Sequence, residues 1–242
     1  MNRNSIRILA VAVMAAVILS AAVISASPKA LAAHQTNTDT AKDAHSSDAA
    51  REGNLAASEK PRMTSVKITE LRVALRDLWV DHVVWTRLYI ISAVAGTPDT
   101  DFAAQRLLKN QEDIGNAIKP FYGEEAGNKL TSLLKDHILI AVDLLEAAKT
   151  GDSEGVQSAE EKWYENADDI ATFLSDANPN WSKEHLVEML NKHLALTKSE
   201  AVARLTGNYE DDVAAFDEIK SEAMVMADDM ARGIVKQVRS GR

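Results

Sequence analysis

Three histidines recur in this chain at a nearly fixed interval, and their surroundings recur with them. His82, His137 and His193 each precede a turn glycine by 14 residues, at Gly96, Gly151 and Gly207. Beyond each turn a polar residue returns at nearly the same distance: Asn110, Asn166 and Glu222. Leu133-Leu134-Lys135-Asp136-His137 reappears 56 positions later as Met189-Leu190-Asn191-Lys192-His193. Asn110-Gln111-Glu112-Asp113-Ile114 reappears at the same offset as Asn166-Ala167-Asp168-Asp169-Ile170. Leu78-Trp79-Val80-Asp81-His82 lies 55 positions before the second histidine unit, a one-residue difference that the 120–123 loop can absorb. Such a period marks one supersecondary unit repeated.

The unit predicted is an αα-hairpin. Leu71, Leu75, Leu78, His82, Trp85 and Tyr89 follow steps of four and three, which puts them on one helical face. Further stripes run through Ala103, Leu107, Asn110 and Ile114; through Leu130, Leu133, His137 and Leu144; and through Ala159, Trp163, Asn166 and Ile170. The last two carry Leu186, Met189, His193 and Thr197, then Ile219, Glu222, Met226 and Met230. Thr97-Pro98-Asp99 reads as a capping turn and Ser182 as a helix cap. Pro120-Phe121-Tyr122-Gly123 and Asn178-Pro179-Asn180 read as breaks. Short connections force antiparallel neighbours, so three hairpins predict an all-α, six-helix bundle over 63–238.

Several of these segments resemble an uncharacterised all-helical family of Bacillus-type bacteria. They are Leu78 through Arg87, Arg106-Leu107-Leu108-Lys109-Asn110, Pro120-Phe121-Tyr122-Gly123, Trp163 through Asp168, His193 through Thr197, and Met226-Ala227-Asp228. The resemblance spans essentially the whole helical region and implies an all-helical fold. Members often carry labels such as glycosyltransferase or acetylglutamate kinase. This chain has no Gly-rich phosphate loop, no alternation of strands and helices, and no nucleotide-sugar signature for either activity.

The ends and the charge narrow the setting. Residues 1–32 predict a signal peptide or N-terminal anchor. Arg3 and Arg7 precede an apolar run from Ile8 to Ala26, and Ala30-Leu31-Ala32 offers a small-x-small cleavage site. Residues 33–62, rich in Ser, Thr, Asp and Ala with no apolar period, predict a disordered polar linker. The chain would then work outside the cytoplasmic membrane, secreted or held by its N-terminal segment. No cysteine is present, which excludes disulfides, thiolate metal sites and a lipidated cysteine. The first 32 residues hold three bases and no acid, leaving 24 basic against 36 acidic groups, a balance of −12. That charge argues against nucleic acid and against anionic lipid as partners. Any membrane contact would come through an uncleaved N-terminus, and the expected partner is an envelope component or a small ligand.

Buried polar groups need partners, because each unpaired one costs a few kcal/mol. His82, His137, His193, Asn110, Asn166 and Glu222 must therefore be hydrogen-bonded, hydrated or metallated. One reading is a register-setting layer of His–Asn pairs, with Thr86 and Thr197 supplying hydroxyls. Another is a metal centre, with His82, His137, His193 and Glu222 around Zn, Fe, Mn or Cu and the two asparagines contacting a ligand. A third is acid–base chemistry between Glu222 and a histidine, as in a metal-dependent enzyme. The first-choice expectation is a non-enzymatic binding protein with a divalent metal or small polar ligand at this layer. The alternative is a structural or interaction module. Trp79, Trp85, Trp163 and Trp181 could line a pocket or pack hairpin ends. Arg87 and Arg106 could clamp an anion, but surface ion pairs are expected, and Asp211-Asp212 and Asp228-Asp229 are expected on exposed faces.

Overall fold

The structure is a computed structural model that describes residues 64–241. The proposed N-terminal segment, the linker and the first residue of the expected helical region lie outside the described residues. Five helices follow one another: α1 (Ser65–Ala95), α2 (Thr100–Thr150), α3 (Ser153–Ala177), α4 (Lys183–Thr206) and α5 (Tyr209–Ser240). No strand occurs among the described residues. None of these helices is long and apolar enough to cross a membrane.

Five helices rather than six is a correction at Pro120-Phe121-Tyr122-Gly123. Helical structure runs through Pro120 and resumes after a single non-helical residue, Gly123 (φ 87°, ψ 172°). No loop separates the two limbs of α2, 100–122 and 124–150. Lys135 on the second limb reaches Glu112 on the first at 2.6 Å, so the limbs run back along each other. A side chain at Gly123 would meet no neighbour within 4 Å, so its constraint is purely conformational. Gly123→Ala should cost about 1–3 kcal/mol, the strain of a backbone region essentially reserved for glycine. A lowered midpoint in thermal melts, with unchanged helical circular dichroism at low temperature, checks this.

The other junctions follow their local chemistry. Asp152 Oδ1 accepts from Gly155 N at 3.0 Å, Ser182 Oγ accepts from His185 N at 3.2 Å, and Asn208 Oδ1 accepts from Asp211 N. Each satisfies one N–H that the helix itself leaves open. The turn before α2 departs from expectation, since Asp99 makes no capping bond and instead accepts the Thr97 hydroxyl.

Each helix packs on its successor, and α5 returns onto α1, so the helices close into a ring. Leu75, Val83, Ile114, Leu130, Ile170, Leu186, Leu194, Ile219, Met226 and Ile234 form the apolar interior. The buried face of α1 passes through Leu75, Trp79, His82, Val83, Tyr89 and Ile90, while Leu71, Leu78 and Trp85 lie half-buried at its edge. The rotation sets Trp85 over Arg106, whose guanidinium lies 5.4 Å from the indole centre. Indole and guanidinium at that distance attract modestly at the surface.

Candidate functional site

His82 on α1, His137 on the second limb of α2 and His193 on α4 are all at most 4 % exposed and line one cavity of about 50 Å³. The other cavity walls are mainly apolar, including Ile90, Leu107, Ile138, Leu145 and Trp163. By water's requirement of roughly 10–15 Å³, the space holds a few waters or one compact ligand. Ring closure brings His82 and His193 to a centroid separation of 5.6 Å.

His137 has both ring nitrogens engaged. Asn166 Nδ2 donates to Leu133 O at 3.0 Å, which turns Asn166 Oδ1 toward His137 Nδ1, 2.9 Å away. Trp163 Nε1 donates to His137 Nε2 at 3.1 Å. An indole N–H only donates, so Nε2 accepts and the imidazole proton sits on Nδ1. Burial, then electrostatic repulsion from the neighbouring His193 ring, hold this imidazole down at about 4, so it is neutral at physiological pH.

His82 is held differently. Asn110 Nδ2 donates to Leu78 O at 3.0 Å, but Gln111, not Asn110, lies against His82 Nδ1, with Nε2 at 3.2 Å. Gln111 Nε2 also donates to Leu107 O at 2.8 Å and lies 3.1 Å from Asn110 Oδ1. Two residues thus share what Asn166 does alone. The signal was in the numbering: Gln111, Asn166 and Glu222 each follow their histidine by 29 residues, and Asn110 follows by 28. Burial, reinforced by the other two histidines, pushes His82 well below its ordinary range.

At the third histidine, Glu222 Oε2 lies 3.5 Å from His193 Nδ1, outside hydrogen-bonding geometry, and both atoms are buried without a hydrogen bond. Thr197 Oγ1 beside them is also without one. Among the described residues no hydrogen bond reaches Nε2 of His82 or of His193; both rings line the cavity, and neither Nε2 is one of the fully buried unpaired atoms. The four proposed metal ligands therefore divide. His137 is committed to asparagine and tryptophan, while His82, His193 and Glu222 keep donor atoms free. No group of three or more His, Cys, Asp or Glu side chains among the described residues is placed to hold a metal.

Near the cavity lies a cluster that contradicts two expectations. Arg87 is not on a surface pair: Nη1 donates to Glu200 Oε1 at 2.5 Å and to Asp212 Oδ1 at 2.7 Å. Arg204 Nη1 reaches Asp212 Oδ2 at 3.2 Å. Asp212, expected on an exposed face, is 1 % exposed, as is Glu200. Burial pushes the Glu200 carboxyl up to about 7 against the pull of Arg87. Asp228 is likewise not free, being gripped by Arg72 and Arg76, which hold it far below the carboxylate range. Arg106 pairs with Asp81 at 2.9 Å, and His185 is exposed and pairs with Asp229. Among the tryptophans, Trp163 lines the cavity, and Trp181 donates to Asp229 O at 3.2 Å against Gly233.

Fold and site together define an all-helical bundle closed around a histidine-lined cavity. Comparison with known protein families, curated proteins and solved structures finds no match.

Proposed function

We propose that this is an extracytoplasmic helical-bundle binding protein whose His/Asn/Glu layer holds a divalent metal or a small polar ligand. The observation that carries the reading is the buried, unbonded pair of atoms His193 Nδ1 and Glu222 Oε2, with His193 on the wall of a cavity sized for one compact ligand. A purely structural layer would leave those two atoms unpaired at a cost of about 1–3 kcal/mol each. Binding falls to the His82, His193 and Glu222 side, while Asn110 and Asn166 orient the layer through backbone carbonyls. Membership of the uncharacterised helical family, the threefold hairpin repeat and export by the N-terminal segment belong to the same proposal. The repeat is supported by the common interval of 29 between each histidine and its partner.

A second reading, the register-setting layer without ligand, draws on the Leu133–Asn166–His137–Trp163 chain, which is complete without any ligand. Glu222→Gln separates the two. In a binding layer the variant loses compensating charge, and cation affinity should fall about tenfold or more. In a structural layer it restores an amide, and stability should stay within about 1 kcal/mol of the parent. Thermal melts with and without Zn, Mn, Fe or Cu, together with elemental analysis after incubation, measure both. Fewer than about one metal per ten chains and no cation-dependent shift remove the metal half of the reading. N-terminal mass spectrometry of the protein from cells tests export; a start near Ala33 is the expected result for cleavage, and an intact Met1 form recovered from cytosol opposes it.

A further inference from the structure

The cavity wall has an apolar body and a small polar edge. Ile90, Leu107, Ile138, Leu145 and Ala201 supply the body. His137 also lines it, but both of its nitrogens are taken by Asn166 and Trp163. No carboxylate is on the wall among the described residues, since Glu222 meets His193 at Nδ1 and is not part of the lining. The ammonium of Lys198, on the wall, is held by Glu160. The phenol of Tyr89, pushed up to about 12 chiefly by burial, is neutral. An ion entering this space would lose its water without meeting a free opposite charge.

The polar edge has a defined donor and acceptor. Gln111 Nε2 donates to Leu107 O at 2.8 Å, so the atom facing His82 Nδ1 at 3.2 Å is an amide nitrogen, which only donates. His82 Nδ1 therefore accepts. Burial keeps this ring neutral, so its single proton sits on Nε2. The His193 ring centre is 5.6 Å from that of His82. A carboxylate beside His193 Nδ1 favours the proton on that nitrogen, which leaves Nε2 of His193 as an acceptor. Neither Nε2 is among the fully buried unpaired atoms, and both rings line the cavity. One N–H and one bare nitrogen, side by side, match a single hydroxyl, which accepts once and donates once. At roughly 10–15 Å³ for each water-sized group, the 50 Å³ of the cavity holds about three to five such groups. One of them meets the histidines, and the rest face hydrocarbon.

We propose that the cavity binds a compact, neutral alcohol of about three to five non-hydrogen atoms, whose hydroxyl accepts from His82 Nε2 and donates to His193 Nε2 while its hydrocarbon body packs on the apolar wall. The inference rests on the binding reading above and narrows its ligand to one uncharged chemical class.

Full-length protein with ¹⁵N-labelled histidine is titrated at neutral pH with isobutanol, isobutyrate and isobutylammonium, which vary the charge on one carbon skeleton. The free protein should show the His82 proton on Nε2. Isobutanol should shift the Nε2 resonances of His82 and His193 saturably at one site, with a Kd on the order of millimolar for so small a ligand. Both ions should bind at least about tenfold more weakly. Ala201→Leu, which fills the cavity, should abolish the shift, and His82→Leu, read at His193, should lower isobutanol affinity about fivefold or more. If a variant fails to fold, as judged by circular dichroism, the three wild-type titrations decide alone. A His82 proton on Nδ1, no saturable shift with isobutanol, or an ion bound as tightly as the alcohol would overturn this inference. Stoichiometric binding of zinc or manganese in place of isobutanol would do so while leaving the binding reading intact. Histidine resonances and melts unmoved by isobutanol, by both ions and by every divalent cation would overturn both.

Discussion

Arg87→Met should destabilise the protein by about 3–5 kcal/mol, the usual cost of removing one partner from a buried ion pair. Arg87 is the common partner of Glu200 and Asp212, each 1 % exposed, and its guanidinium also lies 4.8 Å from the Phe216 ring centre. Methionine keeps much of the stem packing but supplies no charge. Asp212 would retain Arg204, whereas Glu200 would lose the only side chain among the described residues that it bonds. The loss should therefore depend on pH. Glu200 already titrates near 7, above the ordinary 4.5 for glutamate. A group raised in this way binds its proton more tightly in the folded state, so its contribution falls as pH rises from about 4.5 to 7. In Arg87→Met that fall should steepen and extend to higher pH, and in Glu200→Gln it should vanish. Urea unfolding at about pH 5 and pH 8 reads both slopes. Equal loss for Arg87→Met at the two values would show that Glu200 is not the group left exposed to the penalty.

Gly127→Ala should also destabilise, although alanine is the better helix former by about 1 kcal/mol. A Cβ on Gly127 would lie 2.7 Å from the carbonyl oxygen of Gly115, and one on Gly115 would lie 2.6 Å from that of Gly127. Those atoms are backbone, so they yield only if the two limbs of α2 part. Overpacking of this kind typically costs about 1–3 kcal/mol, which outweighs the propensity gain, and Gly127→Leu should exceed it. Glu125→Ala, two residues away and exposed, should change stability by no more than about 0.5 kcal/mol. Denaturant midpoints of the three variants decide the matter; a stabilised Gly127→Ala would mean that the limbs separate without cost.

Periodicity revealed which residues turn inward because burial is written in the spacing of apolar side chains. Leu107, Leu130, Ile170 and Ile219 lie where their stripes put them. The three histidines are buried for the same reason. Their convergence was not legible, since it depends on α5 returning to α1, and a stripe says nothing about which distant helix it meets. Gln111 is not legible by residue type, because the adjacent Asn110 matches the asparagine of the second unit and only the interval of 29 from His82 marks Gln111. Asp212 was misplaced because a buried carboxylate and a solvated one look alike until the arginine against it is known. Pro120 suggested a loop, yet the reversal needed only the backbone freedom of Gly123.

Because α5 lies antiparallel along α1, with Asp228 opposite Arg72 and Arg76 and Asp212 opposite Arg87, the first and last turns of the bundle are neighbours. The described residues begin and finish at the same pole. A short bridge from the end of α5 to the start of α1, with the chain reopened at the exposed Thr97-Pro98 turn, would keep every helix and rewire only their order. In such a permutant α5 and α1 become consecutive, and the seam that now joins the most distant parts of the sequence becomes its most local contact. Closure of the ring, today the step with the longest loop to draw shut, would then come first.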